Sequence, residues 1–241
     1  MKRYTIDGMT IDEALLSLAA KGNRKFTQSL HPGVSNILGL RLPDMRMLAR
    51  RIAQSAEIGD YLAAPGSAFM ESRMLHGLVL GQLKVIDTDH YLRLVSRFVS
   101  TICSWSVCDC FDFAGKHRFV KANRDTVRDF LISWLSSEHE YEVRFGVVML
   151  MKYYLKIDGA EAVLRLMEKV AHSAYYVRMA MAWAVSAACA TDAAVTLGWI
   201  AEGHLDPSTL AMAIRKIRES RRISEEDKAR ASQLVRGRTA L

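Results

Sequence analysis

Apolar residues recurring at the helical period run through most of this chain and set the expectation for its fold. In 69-FMESRMLHGLVLGQL-83, Met70, Met74, Leu78 and Val79 or Leu83 fall on one face, the signature of an amphipathic helix. The stretch 88-TDHYLRLVSRFVSTI-102 opens on Thr88, a candidate N-cap whose hydroxyl can accept from an unpaired N–H of the first turn. In 207-PSTLAMAIRKIRES-220, Asp206 is placed to cap and Pro207 to take the first helical position, where a missing N–H is harmless. Read this way, the pattern predicts helices near 9–21, 43–56, 69–83, 88–102, 104–114, 123–136, 139–154, 158–171, 174–190, 191–202, 206–220 and 224–236. No alternating strand pattern persists over a useful length, and no Asn-Gly or Asp-Gly signal sits between two such runs.

Most of these helices are short, and they follow one another across brief polar breaks. That is too many for one four-helix bundle, and stacked antiparallel pairs are the natural alternative. The expected fold is all-α: an α-solenoid of the HEAT/ARM type, a single domain over 1–241, with roughly 35–45 residues per helix pair. A solenoid curves, so a concave face long enough for an extended partner is expected with it.

Composition adds compartment and partner. Half the residues are apolar, enough for a sizeable core, yet no stretch reads as a membrane-spanning helix. The opening MKRYTIDGMTIDEALLSL carries acids where a signal peptide needs its apolar segment. A cytoplasmic protein is expected, with its four cysteines reduced. The net charge of +7 is compatible with a polyanionic partner.

The stretch with chemical promise is 103-CSWSVCDCF-111. Cys103, Cys108 and Cys110, with His117 nearby, invite a metal reading, but their spacings of five and two lack the paired geometry of structural zinc. On a helix Cys108 and Cys110 would point about 160° apart. The expectation is therefore buried thiols, no metal and no cofactor. Trp105 and Asp109, by contrast, are four apart and share a helix face. Two more segments carry an odd residue on an apolar helix: Arg144 in 139-HEYEVRFGVVMLMKYY-154, and Arg178 and Trp183 in 174-AYYVRMAMAWAVSAACA-190. Each could be interhelical packing or could face a groove.

Basic residues gather in three places. Arg41, Arg46, Arg50 and Arg51 form one group, and Lys116, Arg118, Lys121, Arg124 and Arg128 a second. The third is 214-IRKIRESRRI-223, with Arg215, Lys216 and Arg218 among its members. Spread along a solenoid, such groups resemble a rim that tracks phosphates.

Taken in order, 36-NILGLRLPDMRMLA-49, 104-SWSVCD-109, 141-YEVRFGVVML-150, 175-YYVRMAMAWAVS-186 and 214-IRKIRES-220 resemble the AlkD-type DNA alkylation repair glycosylases, which are HEAT-like helical proteins. The resemblance implies hydrolysis of the N-glycosidic bond of cationic N3- or N7-alkylated purines in duplex DNA, without lyase activity. It implies Asp109 as the catalytic carboxylate, Trp105 and Trp183 as aromatic walls beside the deoxyribose, and Arg144 as a backbone-contacting cation. Arg178, Arg215, Lys216, Arg218, Arg41 and Arg46 are then candidate DNA contacts, the partner is alkylated double-stranded DNA, and the protein is a monomer associated with the nucleoid. The chain departs from some relatives at Ser106, where they carry an acid, and 25-KFTQSLHPGV-34 has no match for a tyrosine that some place near DNA. The competing readings are a non-catalytic HEAT-like binder of distorted duplex and a protein–protein scaffold. The four site residues argue against the first and the basic groups against the second. If the glycosylase reading holds, Trp105, Asp109, Arg144 and Trp183 should converge on the concave face.

Overall fold

The computed structural model describes residues 4–63 and 67–238, with backbone alone from 235 onward. The expected 1–241 domain includes residues 1–3, 64–66 and 239–241, which lie outside the described residues. Between Asn123 and Arg124 the chain divides into two compact units.

The first unit opens with a correction. Strands β1 (Thr5–Ile6) and β2 (Met9–Thr10) pair antiparallel around Asp7-Gly8, both with positive φ, 51° and 75°, the conformation tight hairpin turns need. An Asp-Gly hairpin signal was there after all, flanked by strands too short to alternate visibly. Thr10 then caps α1 (Ile11–Ala19) in a capping box with Glu13. The helices that follow are α2 (Arg24–Leu30), α3 (Leu42–Ala53), α4 (Ile58–Ala63), α5 (Met70–Leu80), α6 (Thr88–Val99), α7 (Trp105–Asp109) and α8 (His117–Ala122).

Helix α5 is the axis of this unit and packs against α1, α3, α6 and α7. The predicted face of Met70, Met74, Leu78 and Val79 is buried, but so are Leu75, Leu80 and Glu71. Glu71 is 1% exposed, and its carboxylate accepts from the Leu38 N–H at 3.0 Å and the Gly39 N–H at 2.7 Å. That satisfies a charge which burial would otherwise penalise, and it pins the 36–41 loop ahead of α3. The cap of α6 is Asp87, which accepts from the His90 N–H at 2.9 Å. Thr88, expected as that cap, is instead the first helical residue and donates to Asn123 Oδ1 at 2.9 Å.

The second unit holds α9 (Arg124–Ser133), α10 (Glu140–Met149), α11 (Gly159–Met167), α12 (Tyr175–Cys189), α13 (Ala193–Glu202), α14 (Pro207–Glu219) and α15 (Glu225–Arg238). Helix α10 runs on into a π-helical turn, Leu150–Tyr154. Here the packing has two rows: α10, α12 and α14 touch in succession, as do α11, α13 and α15. Neighbours in sequence close the pairs between the rows, α9 with α10, α11 with α12 and α14 with α15. Asp206 caps α14 and Pro207 is its first residue, as the sequence indicates. The protein is all-α apart from the hairpin, with packed helix pairs and fifteen α-helices among the described residues.

Candidate active site

Helix α7 is a single short turn, not the 104–114 helix that the apolar run suggests. Ser104 caps its start by accepting from the Val107 N–H. Beyond Cys110 the backbone leaves the helix while Phe111, Phe113 and Ala114 stay buried. Their rings enter an aromatic cluster instead: Phe111 lies 5.4 Å from Phe98 and 5.2 Å from Phe113, and Phe113 lies 6.0 Å from Phe119. The Ala114 N–H donates to the Tyr91 hydroxyl at 2.8 Å, and the chain turns at Gly115 and Lys116 with positive φ. Buried apolar character thus persists through the segment although helical backbone does not.

This anchoring leaves Trp105 and Asp109 as the first and last residues of α7, both half-exposed. The intervening Ser106, Val107 and Cys108 are buried. Cys103 and Cys110 are half-buried, and all four cysteines are free thiols. Among the described residues no group of three or more His, Cys, Asp or Glu side chains is arranged to hold a metal ion.

One residue that sequence reasoning missed lies against Trp105. His31, at the end of α2, is 3% exposed, and its ring stacks on the indole at 4.9 Å with planes 1° apart. The Trp105 Nε1–H donates to the Leu30 carbonyl at 3.1 Å. His31 Nδ1 is 2.7 Å from the Thr27 carbonyl and Nε2 is 2.7 Å from the Ser106 hydroxyl. Ser106 therefore turns inward to hold His31. The only sequence signal was a lone histidine before Pro32-Gly33.

The second unit carries the other candidates. Arg144 on α10 is 5% exposed, and its Nη1–H donates to the Tyr176 carbonyl at 2.8 Å. The Tyr176 N–H donates to Glu140 Oε1 at 2.6 Å, so α10 grips the first turn of α12 from both ends of the charge scale. Arg178, half-buried on α12, lies close enough to Asp206 to act on its carboxyl. Burial pushes Asp206 up, but hydrogen bonds from Thr209 and Ser208, with the Arg178 charge, outweigh it and hold the group below its ordinary value. On α12 Tyr175 is exposed, and so is Trp183. Its helix neighbours Met181, Ala182, Ala184 and Val185 are buried while the indole is 39% exposed. Tyr176, Met179, Trp183 and Ala187 form one stripe of α12 that is not buried, beside Tyr175 and Arg178.

Of the basic candidates, Arg41, Arg46, Arg215 and Arg218 are exposed and Lys216 is half-exposed. Arg41 pairs with Asp44 at 2.7 Å and Arg215 with Glu219 at 2.9 Å. The group around residue 120 is largely balanced by acids: Arg124 pairs with Asp158 at 2.6 Å, Arg128 with Asp125 at 2.9 Å, and Lys116 approaches Asp112 at 3.9 Å.

The described residues form packed helix pairs that leave Trp183, Arg41, Arg46, Arg215 and Arg218 exposed. Residues 11–217 match the family model described as DNA alkylation repair enzyme. The chain is a member of that family, which implies a DNA substrate. No curated protein matches it. Among the described residues no helix is long and apolar enough to cross a membrane.

Proposed function

We propose that the protein is a monofunctional DNA glycosylase that releases cationic N3- or N7-alkylated purines from duplex DNA. The observation that carries this reading is the half-exposed Trp105–Asp109 pair on α7 in a member of the alkylation repair family. Alkylation at N3 or N7 puts a positive charge on the purine and makes it a good leaving group. The C1′–N bond then breaks with the sugar becoming oxocarbenium-like. A carboxylate fixed beside C1′ opposes that charge and orients the water that attacks it. Indole faces favour a nearby cation by about 0.5–2 kcal/mol each, the role assigned to Trp105 and to the outward Trp183. Because the leaving group already carries its charge, no general acid is required, and selectivity for cationic over neutral lesions follows. No lysine is assigned as a Schiff-base nucleophile, so strand cleavage by β-elimination is not part of the reaction.

Arg144 and Arg178, with Arg41, Arg46, Arg215, Lys216 and Arg218, are assigned to the sugar–phosphate backbone. The two-row packing of α10 to α15 supports a HEAT-like arrangement of helix pairs in the second unit. The test is incubation with duplex containing N7-methylguanine and, separately, uracil. Free N7-methylguanine with intact abasic strands and no released uracil is the expected result. Binding to both duplexes without base release would identify a non-catalytic DNA binder instead.

A further inference from the structure

We propose that His31 is a positioning residue for Trp105, holding the indole at a fixed angle so that only its far face is offered to the substrate; this deepens the glycosylase reading and rests on it. Trp105 stands at the first position of a five-residue helix, where packing within α7 cannot fix its side-chain torsions. Two contacts from α2 and its end do so. The Leu30 carbonyl takes the indole N–H at 3.1 Å, which fixes the ring edge. The His31 imidazole lies flat against it at 4.9 Å and 1°, which fixes the ring plane. The imidazole is itself fixed at both nitrogens. A carbonyl oxygen only accepts, so Nδ1 carries the hydrogen that is shared with Thr27 at 2.7 Å. In the neutral ring Nε2 is then the acceptor, and the Ser106 hydroxyl donates to it at 2.7 Å. Ser106 lies 3.2 Å from the hydroxyl of Ser104, the cap of α7. A chain of hydrogen bonds thus runs from the α7 cap through His31 to α2 and sets the plane on which Trp105 rests. Asp109 is on the same helix, so fixing Trp105 relative to α7 also fixes it relative to the carboxylate.

The test uses the full-length protein and five variants: His31→Ala, His31→Phe, Trp105→Ala, Trp105→Phe and the His31→Ala/Trp105→Ala pair. Single-turnover excision of N7-methylguanine should slow about tenfold in His31→Ala, as expected for a misplaced reacting group, while half-saturation by lesion duplex stays within about twofold because phosphate contacts dominate affinity. His31→Phe keeps a ring under the indole and should recover most of the rate, even with lower thermal stability from the unpaired Thr27 and Ser106 groups. In the Trp105→Ala background His31→Ala should cost nothing further. Equal losses in the Ala and Phe variants, or additive losses in the double variant, would overturn the proposal. A readout independent of activity accompanies these: acrylamide quenching of the emission that Trp105→Phe removes. Quenching should rise in His31→Ala and not in His31→Phe, and no rise in His31→Ala would overturn the proposal. If the wild-type protein released no base, the glycosylase reading would fail, and quenching would still decide whether His31 holds Trp105.

Discussion

At the level of single residues, the useful distinction is between odd residues that the fold absorbs and odd residues that it leaves out. Arg144 and Glu71 look out of place on apolar helices and His31 ends a polar one, yet each is buried with a named partner. Trp183 is out of place and stays out. His76 is half-buried and is absorbed by packing as well. It is sandwiched between Tyr61 at 5.6 Å and Phe98 at 6.2 Å, and burial, with the Arg97 charge adding, pushes it from the ordinary 6.5 down to about 4. The unfolded chain takes up this proton as the pH falls below 6.5 and the folded chain does so only near 4. The His76 contribution is therefore fully present above 6.5 and is lost as the pH falls toward 4. Urea unfolding at pH 7 and pH 5 should differ by about 2 kcal/mol on this account. His76→Phe, which keeps the stack, should flatten that difference. An unchanged pH dependence in the variant would show that His76 is not its source.

At the level of elements, the position of α7 depends on how closely its neighbours approach α5. A Cβ on Gly81 would stand 2.7 Å from the Asp112 carbonyl oxygen. That atom is backbone and cannot swing aside, and it lies three residues past Asp109. Gly81→Ala should cost about 1–3 kcal/mol as an overpacked contact and, by displacing the segment after α7, should slow excision too. Chemical denaturation alongside the excision assay checks both, and a variant as stable as the parent would contradict the close approach. The same elements show what could be read in advance. Helices α3, α5, α6, α12 and α14 are long enough for their apolar period to be counted, and the Asp206–Pro207 start of α14 was legible as chemistry. Helices α2, α4 and α8 have six or seven residues, too few to show a period, and were not expected. Helix α7 was overextended because Phe111 and Phe113 are as buried as helical residues would be, in a backbone that periodicity cannot distinguish. The shared face of Trp105 and Asp109 was legible because one helical turn is all it requires. The His31 stack was not, since it joins residues 74 positions apart through α2, itself unforeseen.

At the level of the whole molecule, charge and chemistry separate. The chain carries a net +7, and Arg215, Arg218, Arg221 and Arg222 are exposed in the 214–223 stretch while Ile214, Ile217 and Ile223 are buried. Replacing Arg215, Lys216 and Arg218 together by alanine should weaken lesion-bearing and plain duplex alike and lower the salt slope of binding by about 1–2, because phosphate contacts carry no sequence information. Titrations across a salt series would contradict this if affinity for plain duplex were unchanged. None of that binding explains base release, which the account assigns to a single carboxylate. The most direct test is single-turnover release of N7-methylguanine by Asp109→Asn, a change that keeps the side-chain shape and removes the charge proposed to oppose the sugar cation. The rate should fall by about 10²-fold or more, with thermal stability and plain-duplex affinity unchanged. Release at the wild-type rate by a folded, DNA-bound Asp109→Asn protein would contradict the account and place the chemistry elsewhere.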